Sequence, residues 1–282
     1  MPDLPTHPEM PATLREIVEH TRAVVEESKS RVPESELRAR IADLDAPRGF
    51  FEALTQPTAG TRVIAEVKRR SPSAGLIRPE YDSDGFDPSR IAQQYSKAGA
   101  SAISCLTDEK FFGGELRFLR IIKDSIDLPI LRKDFMIDPY QIVEARAHDA
   151  DAILLIAECL SDDQIRAMLD LSHELGLSVL LEVHSRENLL RALPILEESR
   201  NPRTLLGINN RDLTRMITDL KHTTDLLELV PDRSILVSES GIRTHEDLAH
   251  LRSHSVHIAL IGEHLMRQPH PGEALAQMLG SQ

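Results

Sequence analysis

Eight short apolar runs rich in Val, Ile and Leu recur along the chain, at 62–67, 100–105, 129–132, 151–157, 177–183, 204–208, 234–238 and 256–261. Between them lie stretches with the apolar spacing of amphipathic helices, at 88–98, 115–125, 139–148, 162–175, 185–196, 219–230 and 245–251. The repeat is roughly 25 to 35 residues long, the length of a strand plus a crossover helix. Such strands pair in parallel through right-handed crossovers. Eight units in about 220 residues match a closed barrel in number and size. A doubly wound open sheet competes, but no Gly-x-Gly-x-x-Gly follows an early strand, and eight units exceed what that sheet needs. The predicted class is therefore α/β, a (β/α)8 TIM barrel over residues 61–282.

The first sixty residues hold no convincing strand. Residues 1–11 carry four prolines and few apolar side chains, which predicts a loose tail. Leu14, Ile17, Val18, Thr21, Val24 and Val25 predict a helix of about three to four turns. Pro33 and Glu34 open a second helical piece through Leu37, Ile41 and Leu44, ended by Pro47. Phe50, Phe51 and Leu54 form an apolar cluster before Gln56-Pro57. Residues 1–60 are thus expected to be a tail and helical extension packed on the barrel, in one structural domain.

A chain of 282 residues can bury a full-size core. Its formal net charge of -12 argues against nucleic acid and acidic membrane as partners, since both reward a basic surface. A small anion is still admissible, because a few local donors can hold a phosphate inside an acidic protein. Cys105 and Cys159 are isolated in apolar segments, without metal-ligand or disulfide spacing. They read as small core or pocket-edge residues in a reducing compartment. The start of the chain lacks the pattern of a signal peptide, and no run approaches the roughly 20 apolar residues that cross a bilayer. A cytoplasmic location is expected, as a monomer or weak homodimer.

The most informative stretch is Ile64-Ala65-Glu66-Val67-Lys68-Arg69-Arg70-Ser71-Pro72-Ser73-Ala74-Gly75. Alternate side chains of a strand share a face, so Glu66 and Lys68 point the same way with Ile64 below them. On an open sheet that placement is costly. Inside a barrel, near its mouth, it suits a catalytic acid–base pair. Other strand ends also carry polar groups: Thr107 to Lys110 before Phe111 and Phe112, Arg132 to Asp134 before Phe135, Glu182 and His184, Asn209 to Asp212, Ser238 to Gly241, and Gly262 to His264.

Glu66, Lys68, Lys133 and Glu182 would converge in one mouth. Neighbouring lysines lower each other's pKa and glutamates restore it, so one lysine can be a general acid while another binds an anion. Any one of these groups alone could be a solvated loop residue or a surface ion pair; the shared strand-end position separates them from that reading. Ser240-Gly241 and Gly262-Glu263 suggest a phosphate site built from the backbone N–H groups of the last two loops, although each could also be an ordinary turn. Asn209 can bridge a carboxylate and a substrate hydroxyl, and Arg211 can reach back over the mouth. The 12 histidines form no metal cluster. His184 reads as a loop residue rather than a catalytic base.

With these residues in view, the chain resembles the indole-3-glycerol phosphate synthases. The likeness lies in Ile64 to Ser73, Leu106-Thr107-Asp108-Glu109-Lys110-Phe111-Phe112, Leu131-Arg132-Lys133-Asp134-Phe135, Gly207-Ile208-Asn209-Asn210-Arg211 and Ser238-Glu239-Ser240-Gly241-Ile242. It spans roughly residues 45 to 268, and the helices before it look like that family's N-terminal extension. The resemblance implies ring closure, decarboxylation and dehydration of 1-(2-carboxyphenylamino)-1-deoxyribulose 5-phosphate, with no cofactor and no metal.

It further implies that Lys133 is the general acid and that Lys68 holds the anthranilate carboxylate. Glu182 would be either the base of the dehydration or a stabiliser of positive charge on the ring nitrogen. Glu66, oriented by Asn209, would contact substrate hydroxyls. Ser71, Arg211, Glu239 and Ser240 match binding or supporting positions. The phosphate would rest on Ser240, Gly241, Gly262 and Glu263, and Phe112 and Phe135 would border the aromatic ring. The acid of the second half stays open among Lys68, Lys133 and Glu66.

One departure is Leu251-Arg252-Ser253-His254-Ser255-Val256-His257, where the family more often has an Ala-Gly turn. The chain leaves no room for the isomerase barrel fused in some relatives, so a monofunctional form is expected. Another phosphate-binding barrel enzyme, such as an isomerase or a Schiff-base aldolase, is the nearest rival, and a non-catalytic barrel scaffold is the second.

Overall fold

The computed structural model describes residues 11–82, 85–212 and 217–280. The predicted loose tail falls, Pro11 apart, outside them. Eight strands form a closed parallel barrel: β1 (Arg62–Val67), β2 (Ala102–Leu106), β3 (Ile130–Lys133), β4 (Ala152–Ile156), β5 (Ser178–Val183), β6 (Thr204–Asn209), β7 (Leu236–Glu239) and β8 (Ile258–Ile261). Each strand pairs with its chain neighbours and β8 closes on β1, with Ala65 opposite Ile261. Nearly every strand residue is buried, because side chains alternate between the barrel interior and the surrounding helices.

Each predicted strand falls within one or two residues of an observed one. Several of the intervening helices begin where the sequence supplies caps. Asp138 with Gln141, Ser161 with Gln164 and Thr244 with Asp247 form reciprocal capping boxes, each cap contributing about 1 kcal/mol. The predicted helix over 219–230 is shorter. Its α-helical part is Lys221–Leu226, followed by a 3-10 turn at Leu227–Leu229. Pro231 disfavours helical backbone at Val230, which is extended. A two-stranded ribbon, Arg70–Ser71 against Gly75–Leu76, stands on the mouth.

The extension holds three helices, α1 (Ala12–Arg31), α2 (Glu34–Ala42) and α3 (Phe50–Thr55). α1 is 20 residues long, longer than its apolar stripe predicts. Its last turns dock through polar contacts that hydrophobic periodicity does not register: Tyr140 Oη donates to the Ser28 and Val32 carbonyls at 3.1 and 2.9 Å, and Lys29 pairs with Asp138 at 2.6 Å. Val25, Leu37, Tyr140 and Val143 make a small separate core beneath them.

At the other end of the extension, Arg48 N–H donates to Asp151 at 2.6 Å and Phe51 N–H to Ser178 at 3.3 Å. Asp151 and Ser178 lie at the starts of β4 and β5. The extension therefore contacts both the N-terminal end of the barrel and, through Leu14 and Ile17, the cavity at its C-terminal end.

Candidate active site

The strand register sets the layer on which the chemistry sits. Lys133 ends β3 opposite Leu106, Glu182 lies opposite Ile156 on β4 and Gly207 on β6, and Glu239 ends β7 opposite Asn209. These residues line one cavity of about 570 Å³, within the range of small-molecule sites. Lys68 donates to Glu66 Oε1 at 2.5 Å, as two residues on one strand face can. Lys133 Nζ bridges Glu182 Oε2 at 2.8 Å and Glu239 Oε2 at 2.9 Å. Asn209 Nδ2 donates to Glu182 Oε1 at 3.0 Å.

That last contact corrects one expectation: Asn209 orients Glu182, not Glu66. β6 adjoins β5, whereas β7 and β8 separate it from β1. Glu66 instead has Lys68 as its partner, and a Cβ on Gly262 would collide with its carboxylate. The close approach of β8 to Glu66 thus requires glycine at 262.

The charges are strongly coupled. Burial opposes the Lys133 ammonium, but Glu182, Glu239 and Glu66 outweigh it and hold its pKa well above the ordinary lysine range. Lys133 is therefore held as the ammonium. Burial also opposes charge on Glu182, yet Lys133 and His184 hold it well below the usual carboxylate range. Burial and the neighbouring Glu182 push Glu239 up to about 8 against the pull of Lys133.

The remaining predicted residues reach the same cavity. Phe112 and Phe135 have ring centroids 6.0 Å apart, and Leu14 and Ile17 extend their apolar wall. Phe111, beside Phe112, is half-buried against His20 of α1. Ser240 and Gly241 take left-handed φ values of 65° and 82°, turning the backbone after β7 into the mouth. Asn210 fastens this turn by donating to the Ser240 carbonyl at 3.1 Å and to Ser238 Oγ at 3.0 Å. Gly262 caps the short helix Glu263–Met266 beside it.

Arg211 donates to Ser73 Oγ at 2.7 Å and to Glu263 at 3.3 Å, spanning the mouth as expected. Burial opposes charge on Glu263, but Arg267, Lys68 and Arg211 keep its pKa low. Ser71 is buried and its Oγ accepts the Ala74 N–H at 3.2 Å, so it braces the ribbon. Cys105 and Cys159 are wholly buried, and burial pushes both thiols up, which rules out ready thiolate formation.

Two residues carry more than sequence reasoning gave them. The His184 side chain is not a free loop group: Nε2 lies 3.1 Å from Glu182 Oε1 and Nδ1 lies 3.2 Å from Glu158 Oε2. Glu158 itself went unnoticed. It follows β4 in a 3-10 turn, Ala157–Cys159, and apolar neighbours on both sides mask it. The available signal was its place, a carboxylate at a strand's C-terminal end.

Comparisons with known proteins identify the family and the fold. A family model described as indole-3-glycerol phosphate synthase matches residues 14–278. The chain is 44% identical over 269 residues to the indole-3-glycerol phosphate synthase of Rhodospirillum rubrum, covering 95% of this chain and 98% of that protein. It is 47% identical over 268 residues to the enzyme of the same description from Rhodopirellula baltica, covering 95% and 99%. Among solved structures, 3-hexulose-6-phosphate synthase shares the fold, with a TM-score of 0.58, 12% identity and coverage of 78% of this chain and 99% of that one.

Proposed function

The chain belongs to the indole-3-glycerol phosphate synthase family, and we propose that its cavity divides that reaction among Lys133, Lys68, Glu66, Glu182 and Asn209. The reaction converts 1-(2-carboxyphenylamino)-1-deoxyribulose 5-phosphate to indole-3-glycerol phosphate, CO2 and water. The substrate has an apolar ring at one end, a phosphate at the other and a ketone between. The cavity offers Phe112 and Phe135, the Ser240–Gly241 and Gly262–Glu263 turns, and Lys133.

In the first step the ring carbon that bears the carboxylate attacks the ketone carbon. The carbonyl electron pair moves to oxygen, which takes a proton from Lys133. Positive charge then develops at the ring nitrogen, where the Glu182 carboxylate stabilises it. Lys68 holds the substrate carboxylate until CO2 leaves; the electrons of the broken bond return to the ring and discharge the nitrogen. Apolar walls favour that loss of charge. The new hydroxyl departs as water after gaining a proton, a ring proton is released, and Lys68 and Glu66 carry this exchange. Backbone N–H groups at Gly241, Gly262 and Glu263 anchor the phosphate.

The observation that carries this reading is Lys133 Nζ held between two carboxylates at the cavity wall. The test is a fluorescence assay for indole-3-glycerol phosphate. Lys133→Ala should abolish nearly all turnover, by about 10²–10⁴-fold as for loss of a general acid, while still binding substrate. A K133A protein as fast as the parent would falsify the assignment.

A further inference from the structure

Beyond the residues that touch substrate, a chain of buried contacts runs away from the cavity behind Glu182. Both ring nitrogens of His184 face carboxylates, Nε2 toward Glu182 Oε1 and Nδ1 toward Glu158 Oε2. A neutral imidazole has one N–H and one lone pair, so one of these contacts would be repulsive; an imidazolium satisfies both. The site enforces that state. The His184 side chain is 7% exposed and that of Glu158 11%, so water cannot replace either partner freely.

Glu158 is fixed in turn. Its Oε1 accepts the His184 backbone N–H at 2.8 Å and the Asn188 side-chain amide at 2.9 Å. Arg191 clamps the turn that carries Glu158, donating to the Ala157 carbonyl at 3.0 Å and to Asn188 Oδ1 at 2.6 Å. None of these groups lies among the strand-end residues assigned to the substrate.

We propose that Glu158 and His184 are positioning residues for Glu182, saturating its Oε1 so that Oε2, the oxygen beside Lys133, is the one presented to the reaction. Asn209 supplies the second donor to Oε1. With two donors on one oxygen and Lys133 on the other, Glu182 cannot swing or readily accept a proton. Its part becomes that of a fixed negative charge facing the cationic ring nitrogen, rather than a base. This rests on the reading of Glu182 given above.

The pH behaviour follows from the groups around the pair. Facing Glu182 are Lys133 from β3, Asn209 from β6 and Glu239 from β7, which shares Lys133 with it; Glu66 acts on Lys133 from β1. His222 contacts only the His184 carbonyl, at 3.0 Å. Burial opposes charge on His184, but Glu158 and Glu182 push its pKa up to about 10. It therefore stays charged through the neutral range and helps to keep Glu182 ionised. Removing that charge should raise the pKa of Glu182 and move the acid limb of the kcat–pH profile to higher pH.

The experiment compares His184→Gln and Glu158→Gln with the parent in the full-length protein. Each should lower kcat about tenfold at neutral pH, leave KM within about twofold and shift the acid limb upward by about one unit. E158Q keeps His184 and an acceptor in place, so it reports on charge even if H184Q folds poorly, and thermal unfolding monitors both. In a Glu182→Gln background, H184Q should cost nothing further in kcat, because the two act as a unit. An unmoved acid limb in both variants, or a full additional loss in the double variant, overturns the proposal. E182Q with parental activity would instead overturn the reading of Glu182 itself.

Discussion

At the scale of single residues, Gly207 shows how a position without chemistry governs one that has it. It lies opposite Glu182 in the register, and a Cβ there would collide with Glu239 Oε1 and press on Leu180. Glu239 Oε1 is buried without a hydrogen-bond partner, so the carboxylate is held by Lys133 through its other oxygen. Gly207→Ala would leave the backbone conformation unstrained and push Glu239 off Lys133. Stability should fall by about 1–3 kcal/mol, the usual cost of overpacking a core. Turnover should fall by about tenfold or more, since Lys133 would lose one of the charges that fix its position and its proton. Chemical denaturation and the fluorescence assay, run on the same preparation, read the two effects separately. A variant that lost stability but kept full kcat would show Glu239 to be structural only.

At the scale of elements, strand and helix positions were legible because two periods alternate and capping side chains open several of the barrel helices. Glu66 and Lys68 could be paired from period-2 geometry alone. What periodicity does not encode is contact between strands far apart in sequence. Asn209 found Glu182 because the register of β5 and β6 put them side by side, and no local pattern states that. The length of α1 escaped for a similar reason, since Lys29 and the Ser28 carbonyl are held by partners more than a hundred residues away. Glu158 was hidden by its own apolar flanks.

The turn before β8 carries a physical cost in its backbone. Ser255 adopts φ 62°, a region that disfavours a side chain with Cβ. Its backbone N–H is satisfied by the Arg252 carbonyl at 2.9 Å, so the conformation is imposed by the turn. Ser255→Gly should relieve the strain at some entropic cost in the unfolded chain, for a net gain of about 0.5–1 kcal/mol. Kinetics should be unchanged, because the turn leads into β8 from the end opposite the cavity. A loss of stability in urea titration would place the strain elsewhere.

At the scale of the whole molecule, the extension behaves as a strap along the barrel wall. Arg48 and Phe51 grip the starts of β4 and β5, Tyr140 and Asp138 hold the last turns of α1, and the first turns of α1 close one side of the cavity. His20 stacks edge-on against Phe111 with centroids 5.6 Å apart, joining α1 to the short helix Glu109–Phe112. The apolar end of the site is thus assembled from two parts of the chain, with Leu14 and Ile17 completing the wall of Phe112 and Phe135. That arrangement separates binding from chemistry, since none of the four touches Lys133 or Glu182 by hydrogen bond. The double variant Leu14→Ala/Ile17→Ala should therefore raise KM about tenfold, by exposing ring surface worth roughly 25 cal/mol per Å² to water, and leave kcat within about twofold. Removing two buried side chains should also lower stability by about 2–5 kcal/mol, less wherever water fills the space from the cavity side. Steady-state kinetics below the melting temperature would distinguish the two effects. A fall in kcat with unchanged KM would mean that α1 acts on the catalytic groups, and that the strap does more than complete the wall.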